Sequence, residues 1–321
     1  MTKTDTRDAQ TTIHQIKELE DHGCEIIRVA VPDMEAAAAL SAIKKGIKIP
    51  LVADIHFDYR LALKALAAGV DGLRLNPGNI SDPDKIRAVV NAARERQVPI
   101  RIGVNAGSLP AADIPGQTLP ERMVAAALKH IQLLESLDFD LIKVSLKAFD
   151  VPTTIAAYHD IAARIPYPLH LGITEAGIPR TGIIRSAVGI GTLLYEGIGD
   201  TIRVSLTSNP ADEVTSGYEI LKALNLRQKG PVLVSCPQCG RAEVNIISLA
   251  SLVEQKLQNI DKPIRVAVMG CVVNGPGEAK DADIGVACGK GKAVLFKKGI
   301  QMATINEEDI LGTLMREIEK M

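Results

Sequence analysis

Short apolar runs alternate with longer amphipathic stretches from residue 11 to about residue 226. The runs are EIIRVAV (25–31), PLVADI (50–55), GLRLNP (72–77), PIRIGV (99–104), LIKVSLK (141–147), PLHLGIT (168–174) and TIRVSL (201–206). Their length and apolar character predict buried strands. Between them, TTIHQIKELEDHG, YRLALKALAAG and PERMVAAALKHIQLLESLD carry Ala, Leu, Lys and Glu at a helical period, and several such stretches close on Gly, as helices do. Alternation this regular predicts βα units on a parallel sheet, the α/β class.

Seven strand runs are present, whereas a closed (β/α)8 TIM-type barrel needs eight. The opening MTKTDT is polar and leads straight into the first helical stretch. The expectation is a barrel whose first strand is missing from this chain and lies upstream of Met1; an open, doubly wound sheet is the other arrangement. After the polar junction RQKG (227–230) the pattern changes to strand, cysteine turn, helix, strand, glycine-rich turn, several alternating strands and a last helix. Two domains are predicted: a substrate-binding barrel over 1–226 and a small α+β domain over 227–321.

Composition narrows the function classes. The chain is 46% hydrophobic and 23% charged, an ordinary globular balance, and the 3% aromatic content without Trp leaves the core to Ile, Leu, Val and Ala. A formal net charge of −1 gives no global reason to expect nucleic acid or an acidic membrane as partner. No apolar run approaches the roughly 18 to 20 residues of a bilayer span, and the amino terminus lacks the apolar core of a signal peptide, so a cytoplasmic protein is expected.

Charge placement is more telling. Arg28, Arg74, Arg101, Lys143 and Arg203 sit inside apolar strand runs, where an unpartnered charge costs several kcal/mol. Strand side chains alternate faces, so Arg74 shares a face with Asn76, Arg101 with Asn105, Lys143 with Ser145 and Lys147, Arg203 with Ser205, and Asp54 with His56. In a βα barrel the strand ends converge on one mouth. These residues predict a cationic pocket there, suited to phosphate or diphosphate oxygens. Pairing of each cation with a neighbouring carboxylate is the structural alternative. Glu175, just past a strand in GITEAGIPRTG, is placed to handle a proton beside such cations. His22, His130, His159 and His170 read as surface or packing residues.

Five cysteines are too few and too unevenly spaced for a disulfide framework. SCPQCGR puts Cys236 and Cys239 in a C-x-x-C turn, and Cys271 follows in MGCVVNGPGE. Around Cys271 there is no second close cysteine of the kind a zinc ribbon uses. Three thiolates and one oxygen ligand suit an iron-sulfur cluster, and the glycine turn can return Glu278 to the same centre. Taken alone, that spacing also fits a glycine-rich turn carrying a solvated acid. Cys24 reads as a small buried apolar side chain.

VADIHFDYRLAL, GLRLNPGNI, IRIGVNAGSL, GITEAG, TIRVSLT, SCPQCGR and GCVVNGPGEAKDADIG together resemble the bacterial 4-hydroxy-3-methylbut-2-en-1-yl diphosphate synthase family of the non-mevalonate isoprenoid pathway. The resemblance runs the length of the chain. It implies two-electron reductive ring opening and dehydration of 2-C-methyl-D-erythritol 2,4-cyclodiphosphate to 4-hydroxy-3-methylbut-2-enyl diphosphate. It also implies one 4Fe-4S cluster per subunit on Cys236, Cys239, Cys271 and Glu278, and a diphosphate pocket of Arg28, Arg74, Asn76, Arg101, Asn105, Lys143, Arg203 and Ser205. Asp54, His56 and Glu175 would lie near the reacting carbons, with Glu175 handling the proton for loss of the C3 hydroxyl. Implied partners are flavodoxin or ferredoxin as electron donor and a second subunit, in a homodimer whose cluster domain caps the other subunit's barrel. A barrel aldolase or phosphate-sugar enzyme with a structural zinc domain is the alternative enzyme; a metal-stabilised binding module is the non-enzymatic one.

Overall fold

A computed structural model of the chain describes residues 1–56, 58–75, 82–109, 116–273 and 275–321. It divides into two compact units, Met1–Ile220 and Leu221–Met321.

In the first unit helices and strands alternate: α1 (Ala9–Asp21), β1 (Ile27–Ala30), α2 (Met34–Gly46), β2 (Leu51–Ile55), α3 (Tyr59–Ala67), β3 (Gly72–Leu75), α4 (Pro83–Glu95), β4 (Ile100–Asn105), α5 (Leu119–Glu135), β5 (Ile142–Lys147), α6 (Val151–Ala162), β6 (His170–Leu171), α7 (Pro179–Tyr195), β7 (Thr201–Ile202) and most of α8 (Pro210–Ala223), within which the division falls. Each of the seven expected runs contains one strand. The helices start where the sequence supplies caps. Asp33, Asp58, Asp82 and Asp150 accept backbone N–H groups of the first turns of α2, α3, α4 and α6, and the Thr118 N–H donates to Glu121 at the head of α5.

Strands β1 to β5 form one parallel sheet in chain order, and β6 pairs with β7 in parallel. On the far side of β1 from β2, the Thr2 N–H donates to the Arg28 carbonyl. Apolar strand residues such as Ile27, Leu51, Leu73, Ile100 and Val144 pack beneath the surrounding helices in one continuous core.

The seam between β5 and β6 has an unusual cause. Val144 N–H donates to the Pro168 carbonyl at 2.9 Å, so the parallel register would next bond Leu146 to His170. Instead the hydroxyl of Tyr158, a fully buried α6 residue, stands between them. It accepts from Leu146 N–H at 3.0 Å and donates to the His170 carbonyl at 2.6 Å. The PLHLGIT run yields a two-residue strand, paired with β7.

The second unit holds β8 (Val232–Ser235), α9 (Ile246–Leu257), β9 (Arg265–Met269), α10 (Gly275–Lys280), β10 (Ile284–Gly289), β11 (Lys292–Lys297), β12 (Ile300–Asn306) and α11 (Ile310–Glu319). Its mixed sheet runs β12-β11-β10-β9-β8, with β8, β9 and β10 parallel and β11 antiparallel to both neighbours. One apolar cluster joins this sheet to α9 and α11, and a smaller one includes Ala279 of α10. The expected glycine loop before Glu278 is helical instead. Pro276 tolerates a first helical turn because its missing N–H would find no partner there. A Cβ on Gly275 would stand 3.0 Å from Ala287 Cβ and 3.1 Å from Met269 Cβ, so glycine lets this helix lie close on the sheet.

Candidate active site

Register gathers the strand charges into a row. Asp54, Arg74, Arg101 and Lys143 are successive Cα partners across β2, β3, β4 and β5. Nearer the carboxyl ends, Gly103 pairs with Ser145 and Asn105 with Lys147.

Asp54 organises one side of this row. Its carboxylate, 3% exposed, lies 3.3 Å from Arg28 Nη1, 3.1 Å from Arg74 Nη1 and 3.5 Å from His56 Nε2. Burial alone would raise its pKa, but the His56 hydrogen bond and the Arg28 and Arg74 charges outweigh that and hold it well below the usual carboxylate range. Arg74 also donates to the Gly103 carbonyl at 3.4 Å. Arg101 donates to Ser145 Oγ at 3.0 Å, and Arg203 to Ser205 Oγ at 2.5 Å. Burial, with the neighbouring cations, pulls Arg28 down to about 10 and Arg101 to about 9; both remain protonated at neutral pH.

The far side of the row has an excess of positive charge. Lys147 is 3% exposed, and its Nζ has no hydrogen-bond partner among the described residues. Burial and the charges of Arg203, Arg101, Arg28 and Arg74 drive its pKa well below the lysine value. A Cβ on Gly172 would come within 2.7 Å of the Arg203 carbonyl and 3.3 Å of Lys147 Nζ, so only glycine leaves room for this arrangement.

His170, expected as a packing residue, instead belongs to this cluster. Its Nδ1 lies 2.8 Å from Thr201 Oγ1, and burial followed by Lys147, Arg101, Arg28 and Arg203 lowers its pKa strongly. The step of two puts Lys147 on the pocket face, whereas the diphosphate set implied by the resemblance names Lys143 and not Lys147; Lys143, paired with Arg101, is half-buried nearer the amino end of β5. Glu213 of α8 was missed; it accepts from Leu206 N–H at 2.9 Å and opposes the Arg203 charge.

Asn105 is half-buried at the end of β4. Asn76 lies outside the described residues. Glu175 is exposed, in the loop after β6, with φ of +55°, a left-handed conformation uncommon for a non-glycine residue. Flanking bonds hold that loop: Thr174 N–H to the Ala148 carbonyl, Arg185 Nη1 to the Ala176 carbonyl at 2.7 Å, and Thr207 N–H to the Gly177 carbonyl.

In the second unit, Cys236 and Cys271 follow the adjacent parallel strands β8 and β9. Gly270 connects the two cysteine motifs. Its N–H donates to Cys236 Sγ at 3.3 Å, and its carbonyl accepts from Glu243 N–H at 2.9 Å, beyond the C-x-x-C turn. Within that turn Gln238 is left-handed, with φ of +54°. No disulfide is present. Cys236 and Cys271 are half-buried, and Cys239 and Glu278 are exposed. Among the described residues no three His, Cys, Asp or Glu side chains gather closely enough to share a single metal ion. The donor set still suits an iron-sulfur cluster: thiols at the ends of neighbouring strands, one receiving an N–H bond of the kind that stabilises thiolate.

Family models match both units: the GcpE TIM-barrel domain over residues 1–218 and the GcpE protein C-terminal domain over 232–320. The chain belongs to the GcpE family. A relative in Dehalococcoides mccartyi named 4-hydroxy-3-methylbut-2-en-1-yl diphosphate synthase (flavodoxin) is 67% identical across 100% of this chain and 92% of its own length. A relative of the same name in Geobacter sulfurreducens is 59% identical, with the same coverage. The barrel fold is shared more widely: a dihydropteroate synthase from Yersinia pestis, 11% identical, aligns over 68% of this chain and 88% of its own, with a TM-score of 0.51. The family does not favour the aldolase alternative. No helix among the described residues is long and apolar enough to cross a membrane.

Proposed function

We infer that this chain is an oxidoreductase of isoprenoid biosynthesis, a 4-hydroxy-3-methylbut-2-en-1-yl diphosphate synthase. It converts 2-C-methyl-D-erythritol 2,4-cyclodiphosphate, two electrons and two protons into 4-hydroxy-3-methylbut-2-enyl diphosphate and water. The observation that carries this reading is the charge imbalance in the barrel. Arg28, Arg74, Arg101, Lys147 and Arg203 gather around Asp54, the one fully buried carboxylate among the described residues, with only the half-buried Glu213 as a further counter-charge. A diphosphate supplies the missing negative charge and enough oxygens for several donors.

In this reading Asn105 and Ser205 complete the polar lining around the cations, and Asn76, outside the described residues, joins them by the resemblance alone. Asp54, held ionised by its neighbours, is a poor proton donor at neutral pH; its part is to fix the Arg28 and Arg74 guanidinium groups. His56, exposed beside it, orients the substrate, and Glu175 delivers the proton as the C3 hydroxyl leaves. Cys236, Cys239, Cys271 and Glu278 would hold a 4Fe-4S cluster, which would supply electrons singly and one iron open to an oxygen ligand. The electron donor is a flavodoxin, by the relatives' name. The enzyme works in the cytoplasm as a homodimer in which one protomer's cluster serves its partner's barrel.

The test is anaerobic purification of the full chain and its assay with a reduced one-electron carrier. About four irons with matching sulfide, and electron-dependent consumption of the cyclic diphosphate, are expected. One zinc without sulfide overturns the reading. Co-expression of a Lys147→Met chain with a Cys271→Ser chain should regain activity that neither has alone; its absence overturns the shared site.

A further inference from the structure

The seam between β5 and β6 lies beside the most crowded charges of the barrel. Lys147 immediately follows Leu146, whose N–H is bonded to the Tyr158 hydroxyl, and His170 supplies the carbonyl on the other side. Above and below this point the two strands keep their direct bonds, Val144 to Pro168 and Thr174 to Ala148. A single oxygen is thus inserted into the ladder at one rung. It replaces one N–H···O bond by two and spreads the strands there, because each link of the bridge is itself a full hydrogen bond in length.

We propose that Tyr158 is a positioning residue: by parting β5 from β6 at Leu146 and His170, it aims the Lys147 ammonium at the bound diphosphate. This rests on the anion-pocket reading given above. The Lys147 side chain passes Gly172 on the continuation of β6, where the space left by the absent Cβ is within 3.3 Å of Nζ. Closing the seam by one hydroxyl moves Gly172 toward Lys147 and tilts the strand that carries it. Tyr158 is suited to the role because it is fully buried, and burial holds its phenol protonated, with its pKa raised. The hydroxyl can then accept from one strand and donate to the other at every physiological pH.

Binding of inorganic pyrophosphate to the full chain, followed by calorimetry at fixed salt, tests this through a double-mutant cycle. Tyr158→Phe keeps the ring and removes the bridge; it should weaken binding about tenfold. Lys147→Met should do the same. The double variant should bind no more weakly than Lys147→Met alone, and p-aminophenylalanine at position 158, which restores the donor to the His170 carbonyl but accepts only weakly from Leu146 N–H, should recover part of the affinity. If Tyr158→Phe does not fold, the p-aminophenylalanine protein takes its place in the cycle, with a smaller loss that must likewise vanish beside Lys147→Met. An undiminished affinity in Tyr158→Phe, or an equal further loss in the Lys147→Met background, overturns the proposal while leaving the pocket intact. A wild-type chain that does not bind pyrophosphate overturns the pocket and this inference with it.

Discussion

Gly103 lies directly under the Arg74 guanidinium: a Cβ added there would stand 2.7 Å from Arg74 Nε and 3.2 Å from Nη2. Arg74 is 4% exposed and tied to Asp54, so it has nowhere to retreat. Gly103→Ala should lower stability by about 1–3 kcal/mol through overpacking and weaken pyrophosphate binding with it. Gly107→Ala, where an added Cβ meets nothing within 4 Å, is the control and should change neither. Urea midpoints and calorimetry on the two variants decide.

Asp54→Asn removes the buried counter-charge of Arg28 and Arg74. Breaking such a pair on one side costs about 3–5 kcal/mol, measurable as a fall in the denaturation midpoint at pH 7. The pH dependence has a definite sign. The folded-state pKa of Asp54 lies below its unfolded value of about 3.9, so its contribution is fully present above that value and is lost as pH falls through the range beneath it. The wild type should converge on Asp54→Asn as pH drops below about 4; parallel stability curves over that range would contradict the assignment.

How much of this was legible in the chain differs by residue. The seven strands and the step-of-two cation face were readable, because apolar runs and side-chain alternation are local. That Lys147 is the fully buried lysine of β5 was not, since Lys143 and Lys147 share a face and what covers each comes from distant parts of the chain. His170 looked like packing for the same reason. The Tyr158 wedge joins residues on three elements, and no local pattern encodes it. At Glu278 the composition GPGE suggested a loop, whereas the close approach of Gly275 to Ala287 and Met269 lets a helix pack there.

Lys147→Met should strengthen the ligand-free fold by on the order of 1 kcal/mol or more, because it deletes a buried amine with no hydrogen-bond partner among the described residues, while reducing turnover severely. Linkage sharpens the test. Lys147 titrates lower in the folded state than in the unfolded one, so the unfolded chain binds more protons between the two pKa values and wild-type stability rises with pH toward about 10.4. Lys147→Met should show a smaller rise over that window in thermal melts.

Glu278→Cys replaces the proposed oxygen ligand by a thiolate. Thiolate binds iron more tightly, so iron and sulfide content should be retained while consumption of the cyclic diphosphate falls by at least tenfold. Full turnover in this variant would remove Glu278 from the proposed site.

The row Asp54, Arg74, Arg101 and Lys143, with Arg28, Lys147 and Arg203 around it, bears on how long the enzyme lasts as well as on what it binds. Mutually repelling cations favour any state in which they are neutralised, so the folded fraction is coupled by mass action to the concentration of anionic ligand. Bound ligand should therefore slow proteolysis of the chain relative to the ligand-free form. Supply of the cyclic diphosphate would then set the amount of enzyme that survives to use it.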